Sequence, residues 1–128
     1  MRRVLVVDDE MDIQLLFEQQ FEDEINDGLL NFEFVHNGDE ALTFLKNHPD
    51  IKSILIMSDI NMPGMTGIEL LKIIKDNMPN RKVAIVSAYG DAANREKATK
   101  YKADDFITKP IDFQYVKELI MKSIEDLE

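Results

Sequence analysis

The chain has 128 residues, 45% of them hydrophobic and 31% charged, which is the size and composition of one globular domain with a single buried core. It contains no cysteine, so a disulfide framework and a thiolate metal site are both excluded. A net charge of −10 argues against direct binding of nucleic acid, which needs a basic face to displace counterions.

The negative charge is unevenly placed. Residues 1–64 hold 4 Lys/Arg against 14 Asp/Glu, whereas residues 65–128 hold 11 of each. An acidic surface keeps a small protein soluble, and the same excess suits a cation site.

From the N-terminus, Arg2-Arg3 precede an apolar run, Val4 to Val7, that stops at Asp8-Asp9-Glu10. Four residues are too few for a secretory signal or a membrane span, so a cytoplasmic protein with no membrane partner is expected. As a strand, the run suits a parallel sheet covered on both faces. Ile13, Leu16, Phe17 and Phe21 then mark the apolar stripe of a first helix. Phe32 to Val35 is a weaker second strand, Asn37-Gly38 a turn, and Ala41, Leu42 and Leu45 a second helix.

Ile54 to Met57 is the third strand. After Pro63-Gly64, Thr66-Gly67-Ile68-Glu69 forms a capping box that opens a third helix with its stripe at Ile68, Leu71 and Ile74. Val83 to Val86 is the fourth strand. Residues Asp91 to Tyr101 make a polar, alanine-rich fourth helix with little periodicity. Asp105 to Ile107 is the fifth strand, and Asp112 caps a fifth helix whose stripe is Phe113, Val116, Ile120, Ile124 and Leu127. The alternation predicts an α/β fold: a doubly wound, five-stranded parallel sheet with five helices, a three-layer sandwich formed by residues 1–128 as one domain, in which the strand order 2-1-3-4-5 would set strands one and three side by side.

The unusual polar residues fall at the strand ends of that frame. Asp8 and Asp9 end strand one, Asp59 ends strand three, Ser87 ends strand four and Lys109 follows strand five. Open α/β sheets bind ligands beyond the carboxyl ends of their strands, where the winding direction reverses. Taken singly, each residue has a plain structural use: an acidic pair that ends a strand, turn formers at Asp59 and Ser87, a solvated lysine. Together they surround one crevice. Clustered carboxylates must take up protons or bind a cation, and a set of hard oxygens with no histidine or cysteine favours Mg2+, with Mn2+ as a substitute. With that cation and the Lys109 ammonium offsetting charge repulsion, and Ser87 donating a hydrogen bond, Asp59 has what an aspartate needs to accept a phosphoryl group.

Four segments carry a family resemblance: Val4 to Glu10, Ser58 to Gly67, Val86-Ser87-Ala88 and Ala103 to Pro110. In this order they resemble the motif set of two-component response regulator receiver domains, across essentially the whole chain. The resemblance implies that Asp59 is the phosphoacceptor and that Asp9, Asp59 and the backbone carbonyl of Asn61 bind Mg2+, with Asp8 acting through a coordinated water. It implies that Ser87 and Lys109 hold the phosphoryl oxygens, that the Lys109-Pro110 bond is cis, and that Phe106 is the switch aromatic paired with Ser87. It also implies a sensor histidine kinase or phosphotransfer protein as donor, and a downstream effector that meets the face built by the fourth helix, fifth strand and fifth helix. Arg95, Lys97, Lys100 and Lys102 make the approach to that face basic. A monomer or a phosphorylation-dependent dimer is expected, acting as a receiver that promotes its own phosphorylation and dephosphorylation rather than as a conventional enzyme. Compared with the family, the stretch from Gln19 to Asn37 is a few residues long, which implies an extended first helix or following loop, and His48 to Lys52 is also slightly long. Tyr89 takes a position that in this family influences the lifetime of the phosphoryl group. A Mg2+-dependent phosphohydrolase would want a second aspartate where Asn61 stands, and a flavin carrier would want a phosphate-binding loop where Asp8, Asp9 and Glu10 stand.

Overall fold

The computed structural model describes residues 2–49, 54–88 and 90–127. Five parallel strands, β1 (Arg2–Val7), β2 (Leu30–Val35), β3 (Ile54–Asp59), β4 (Lys82–Ala88) and β5 (Asp105–Lys109), form one sheet in the order β2-β1-β3-β4-β5. They are joined by α1 (Asp12–Gln20), α2 (Glu22–Asn26), α3 (Gly38–Asn47), α4 (Gly67–Asn77), α5 (Ala92–Lys100) and α6 (Phe113–Leu127). The expected architecture and strand order are present.

Side chains alternate across a strand, so the apolar runs feed two cores at once. Leu5, Val7, Ile56, Val83 and Ile85 pack on one side with Ala41, Leu45, Leu71, Ile74 and Ala98 from α3, α4 and α5. Val4, Val6, Leu55, Met57, Ala84, Val86 and Ile107 pack on the other with Phe17 of α1 and Val116, Leu119 and Ile120 of α6. Phe21, Phe32 and Phe113 extend this second core as an aromatic group with ring centroids between 5.1 and 6.5 Å apart. Aliphatic layers on both faces fix the sheet, and the sheet fixes where its carboxyl edge lies.

The elements differ from the expectation in three respects. Among the described residues there are six helices, because the long stretch after Gln19 folds a further short turn of helix, α2. Its Glu24 pairs with Lys117 of α6 at 2.9 Å, and Lys117 also lies 5.6 Å from the centre of the Phe21 ring. Leu16 is exposed rather than part of the buried stripe, since α1 turns a face centred on Phe17 to the sheet. Strand four runs one residue past Ser87, to Ala88, and Lys109 is the last residue of β5 instead of the first one beyond it. Residues 50–52 of the stretch before β3 lie outside the described residues.

The predicted caps are present. Thr66 Oγ1 accepts from Glu69 N and Glu69 Oε1 accepts from Thr66 N, a complete capping box for α4. Asp112 Oδ1 accepts from Gln114 N and Tyr115 N at the start of α6. At the amino edge of the sheet, Asp104 Oδ2 accepts from Val83 N and from Lys75 Nζ, which ties α4 to the entry of β5.

Candidate phosphoacceptor site

β1 and β3 are neighbours but their chains leave in opposite directions, toward β2 and β4, and this leaves a crevice at their carboxyl ends. β1 delivers Asp8 and Asp9 to it. Asp8 N donates to Val35 O, which continues the β1–β2 pairing one residue past the strand, and Asp8 Oδ1 accepts from Glu10 N at 2.9 Å. Asp8 is buried and Asp9 exposed. β3 delivers Asp59, also buried, whose Oδ1 accepts from Ile60 N at 2.8 Å. Carboxylate oxygens of Asp8, Asp9 and Asp59 all lie within 4.8 Å of one another.

β5 supplies the counter-charge. Lys109 Nζ donates to Asp59 Oδ2 at 3.1 Å, and the Lys109-Pro110 peptide is cis. β4 supplies Ser87, one residue after Val86, the register partner of Asp59. Ser87 is 1% exposed, and among the described residues its Oγ finds no hydrogen-bond partner. A buried hydroxyl left in that state carries a desolvation penalty and has a hydrogen bond still to give.

The electrostatics agree with the geometry. Burial raises the Asp8 carboxyl above its ordinary range, the hydrogen bond from Glu10 N opposes this, and the nearby Asp59 charge raises it further. For Lys109, burial works against the charged form. The hydrogen bond to Asp59 and the charges of Asp59, Asp8 and Glu10 outweigh it, and the ammonium is held above its ordinary value. The pocket therefore has an unmet demand for positive charge that Lys109 alone does not satisfy. Its three carboxylates are hard oxygen donors, so the donor set suits Mg2+ or Mn2+ better than zinc.

Asn61 lies two residues beyond β3 and is exposed. Phe106, in β5, is partly buried against the α3–α5 side of the core, with the Arg95 guanidinium 4.9 Å from its ring centre. Its neighbour Asp105 accepts from Tyr115 OH at 2.9 Å, a link from β5 to α6. Tyr89 falls outside the described residues.

Sequence reasoning missed Gly67 as part of the site. A Cβ there would strike the carbonyl oxygen of Asp59 and come within 2.9 Å of Ile60 Cα, while Gly67 N donates to Ile60 O. The first residue of α4 thus buttresses the backbone that carries Asp59. A glycine at the first position of a well-capped helix, where alanine would serve the helix better, is the signal that pointed to it.

This fold and pocket define a class: a doubly wound α/β protein with an acidic, lysine-flanked crevice at its switch point. Residues 4–121 match the family model described as response regulator receiver domain, so the chain belongs to the receiver domain family of two-component signalling. It is 32% identical to the chemotaxis protein CheY of Listeria monocytogenes over 96% of this chain and 98% of that protein. It is also 32% identical to the sporulation initiation phosphotransferase F of Bacillus subtilis over 94% of this chain and 91% of that protein. Against the DNA-binding transcriptional regulator NtrC of Proteus hauseri the identity is 35%, and the chain spans 24% of that longer protein. Among solved structures, the Francisella response regulator 1452 receiver domain superposes with a TM-score of 0.83 at 29% identity over the full length of both chains. A receiver domain protein from Clostridium thermocellum superposes with a TM-score of 0.85 at 25% identity, covering 98% of this chain and 96% of that one. The pocket is of the acidic kind at which receiver domains bind magnesium. Among the described residues no helix is long and apolar enough to cross a membrane.

Proposed function

We propose that this receiver domain accepts a phosphoryl group on Asp59 from a phosphohistidine of a sensor kinase or phosphotransfer protein, in a Mg2+-dependent reaction. An Asp59 carboxylate oxygen attacks the phosphorus, the P–N bond breaks, and its electron pair returns to the donor imidazole. Asp9, Asp59 and the carbonyl of Asn61 would hold the cation, with Asp8 acting through a coordinated water. The chemistry such an ion supplies when bound is neutralisation of charge on the phosphoryl oxygens. Lys109 neutralises a second oxygen and Ser87 donates to a third.

One observation carries this reading: carboxylates from β1 and β3 lie within 4.8 Å of one another, with Lys109 Nζ 3.1 Å from Asp59. The orphaned Ser87 hydroxyl supports the switch, since its move to a phosphoryl oxygen would free space for Phe106 to turn inward from beneath Arg95. The surface that would report this change is formed by α5, β5 and α6, and an effector of unknown identity would meet it there. The relatives differ in what their names assign, from chemotaxis to transcription, so the output is not inferred from them.

Intact-mass measurement after exposure to a small-molecule phosphodonor tests the reading. One added phosphoryl group is expected with magnesium, and none without it or in Asp59→Ala. An unlabelled native protein, or a labelled Asp59→Ala, overturns it.

A further inference from the structure

We propose that the groove between α4 and α5 is a docking site for an acidic, leucine- or phenylalanine-bearing peptide segment of a partner protein. The groove is a half-open cavity of about 580 Å³ beside the phosphoacceptor pocket, reached past Asn61. Its base includes Ile60 and Ile68, both buried, and the partly buried ring of Tyr101. Its sides carry Lys72 from α4 and Lys97 and Lys100 from α5, all exposed.

The charges in it are the unusual feature. The protein carries 25 acidic residues and a net charge of −10, yet among the described residues none of these three lysines is paired with a carboxylate. Instead Lys72 and Lys100 crowd the same ring, 5.8 and 5.9 Å from the centre of Tyr101. Three lysines against Glu69, the one acid in the lining, leave the groove a net charge of +2, which favours an anion there. Glu69 is held at the helix start, accepting from Thr66 N in the capping box. The basic run of α5 is therefore divided: Arg95 covers Phe106 toward β5, while Lys97 and Lys100 face α4.

The mixed lining selects the occupant. A bare inorganic anion would use the amines and leave the Tyr101 ring uncovered. A small molecule is normally enclosed over most of its surface, which a half-open groove cannot do. A peptide lying between two helices can lay an apolar side chain along the partly exposed Tyr101 ring while its carboxylates meet the lysines. A second copy of this chain is disfavoured by mutual repulsion at −10 each. Because the groove is formed in the unphosphorylated protein, this inference stands apart from the chemistry at Asp59.

The probe is a fluorescently labelled peptide of alternating glutamate and leucine, titrated into the unphosphorylated protein and read by anisotropy. Saturable binding that weakens with salt is expected, reduced about tenfold or more in the double variant Lys97→Glu/Lys100→Glu and unchanged in the equally charge-reversed Lys46→Glu/Lys122→Glu. Amide shifts in the native protein should map to Ile60, Asn61, Ile68 and Tyr101, an arm that needs no variant. No binding, equal loss in both double variants, or shifts confined to another face overturns the proposal. Displacement of the peptide by inorganic phosphate at equal concentration also overturns it, in favour of a small-anion site.

Discussion

Ser87 shows how a single side chain can be unfavourable for folding and yet, on the proposed reading, serve the transfer step. Its hydroxyl is buried with no partner among the described residues, a state that costs on the order of 1–3 kcal/mol. Removing it should therefore not harm the fold. Ser87→Ala is expected to unfold at the same temperature as the native protein or slightly above it. Its phosphorylation by a small-molecule donor should be slower by about tenfold or more, the loss of one charge-assisted hydrogen bond in the transition state. Calorimetry and the rate of mass increase measure the two effects separately. A clear fall in stability would show that the hydroxyl has a structural partner, and an unchanged rate would remove Ser87 from the transfer step.

At the scale of elements, the contact between α4 and β3 decides where Asp59 sits. Replacing Gly67 with alanine brings two opposed effects. Alanine favours a helix by about 1 kcal/mol over glycine in an exposed interior position. Here the new Cβ would collide with the Asp59 carbonyl and Ile60 Cα, backbone atoms that cannot swing aside, and overpacking of this kind costs about 1–3 kcal/mol. The collision should win. Gly67→Ala is expected to melt below the native protein and to phosphorylate more slowly, because α4 and the β3 carboxyl end must separate. A variant that melts higher would mean that helix propensity outweighs the close approach. This contact also shows what can be recovered from sequence. The three central strands β1, β3 and β4 were legible because parallel strands buried on both faces leave unbroken aliphatic runs, and the edge strands β2 and β5, with Glu33 and Asp105 in them, gave a weaker signal. Asp8, Asp9, Asp59, Ser87 and Lys109 were legible because they stand at or near the carboxyl ends of the strands. Other features had no local signature. The segment Glu22–Asn26 contains one apolar residue that reaches the core, Ile25, and an ion pair to distant Lys117 steadies it. Leu16 matches a helical stripe in spacing, yet α1 covers too little of the sheet to bury it. The Arg95–Phe106 and Tyr115–Asp105 contacts join elements whose mutual placement only the fold determines.

For the whole molecule, the acidic imbalance and the pocket are one electrostatic problem. The chain concentrates negative charge in its first half, and the fold adds Asp59 to Asp8 and Asp9. Asp8 feels this most directly, because burial and then the Asp59 charge raise its folded value above 3.8. For a carboxyl raised on folding, the native state holds the proton more tightly than the unfolded chain. Its contribution to stability is therefore most favourable below the unfolded value, and it is lost as pH rises toward the folded one. At neutral pH the metal-free protein carries the full penalty. Asp8→Asn should consequently raise the melting temperature in the absence of divalent ions, by roughly 4 °C if about 1 kcal/mol of repulsion is relieved. Magnesium should do the same for the native protein by binding only the folded state, contributing about 2.7 kcal/mol at a concentration one hundred times its dissociation constant. That magnesium effect should shrink as pH falls through the folded value of Asp8, where a proton on Asp8 removes one of the charges that attract the ion. Thermal melts with and without millimolar magnesium, between neutral and mildly acidic pH, give both results. A magnesium shift absent at neutral pH, or one that persists undiminished in acid, would show that the clustered carboxylates are not where the ion binds.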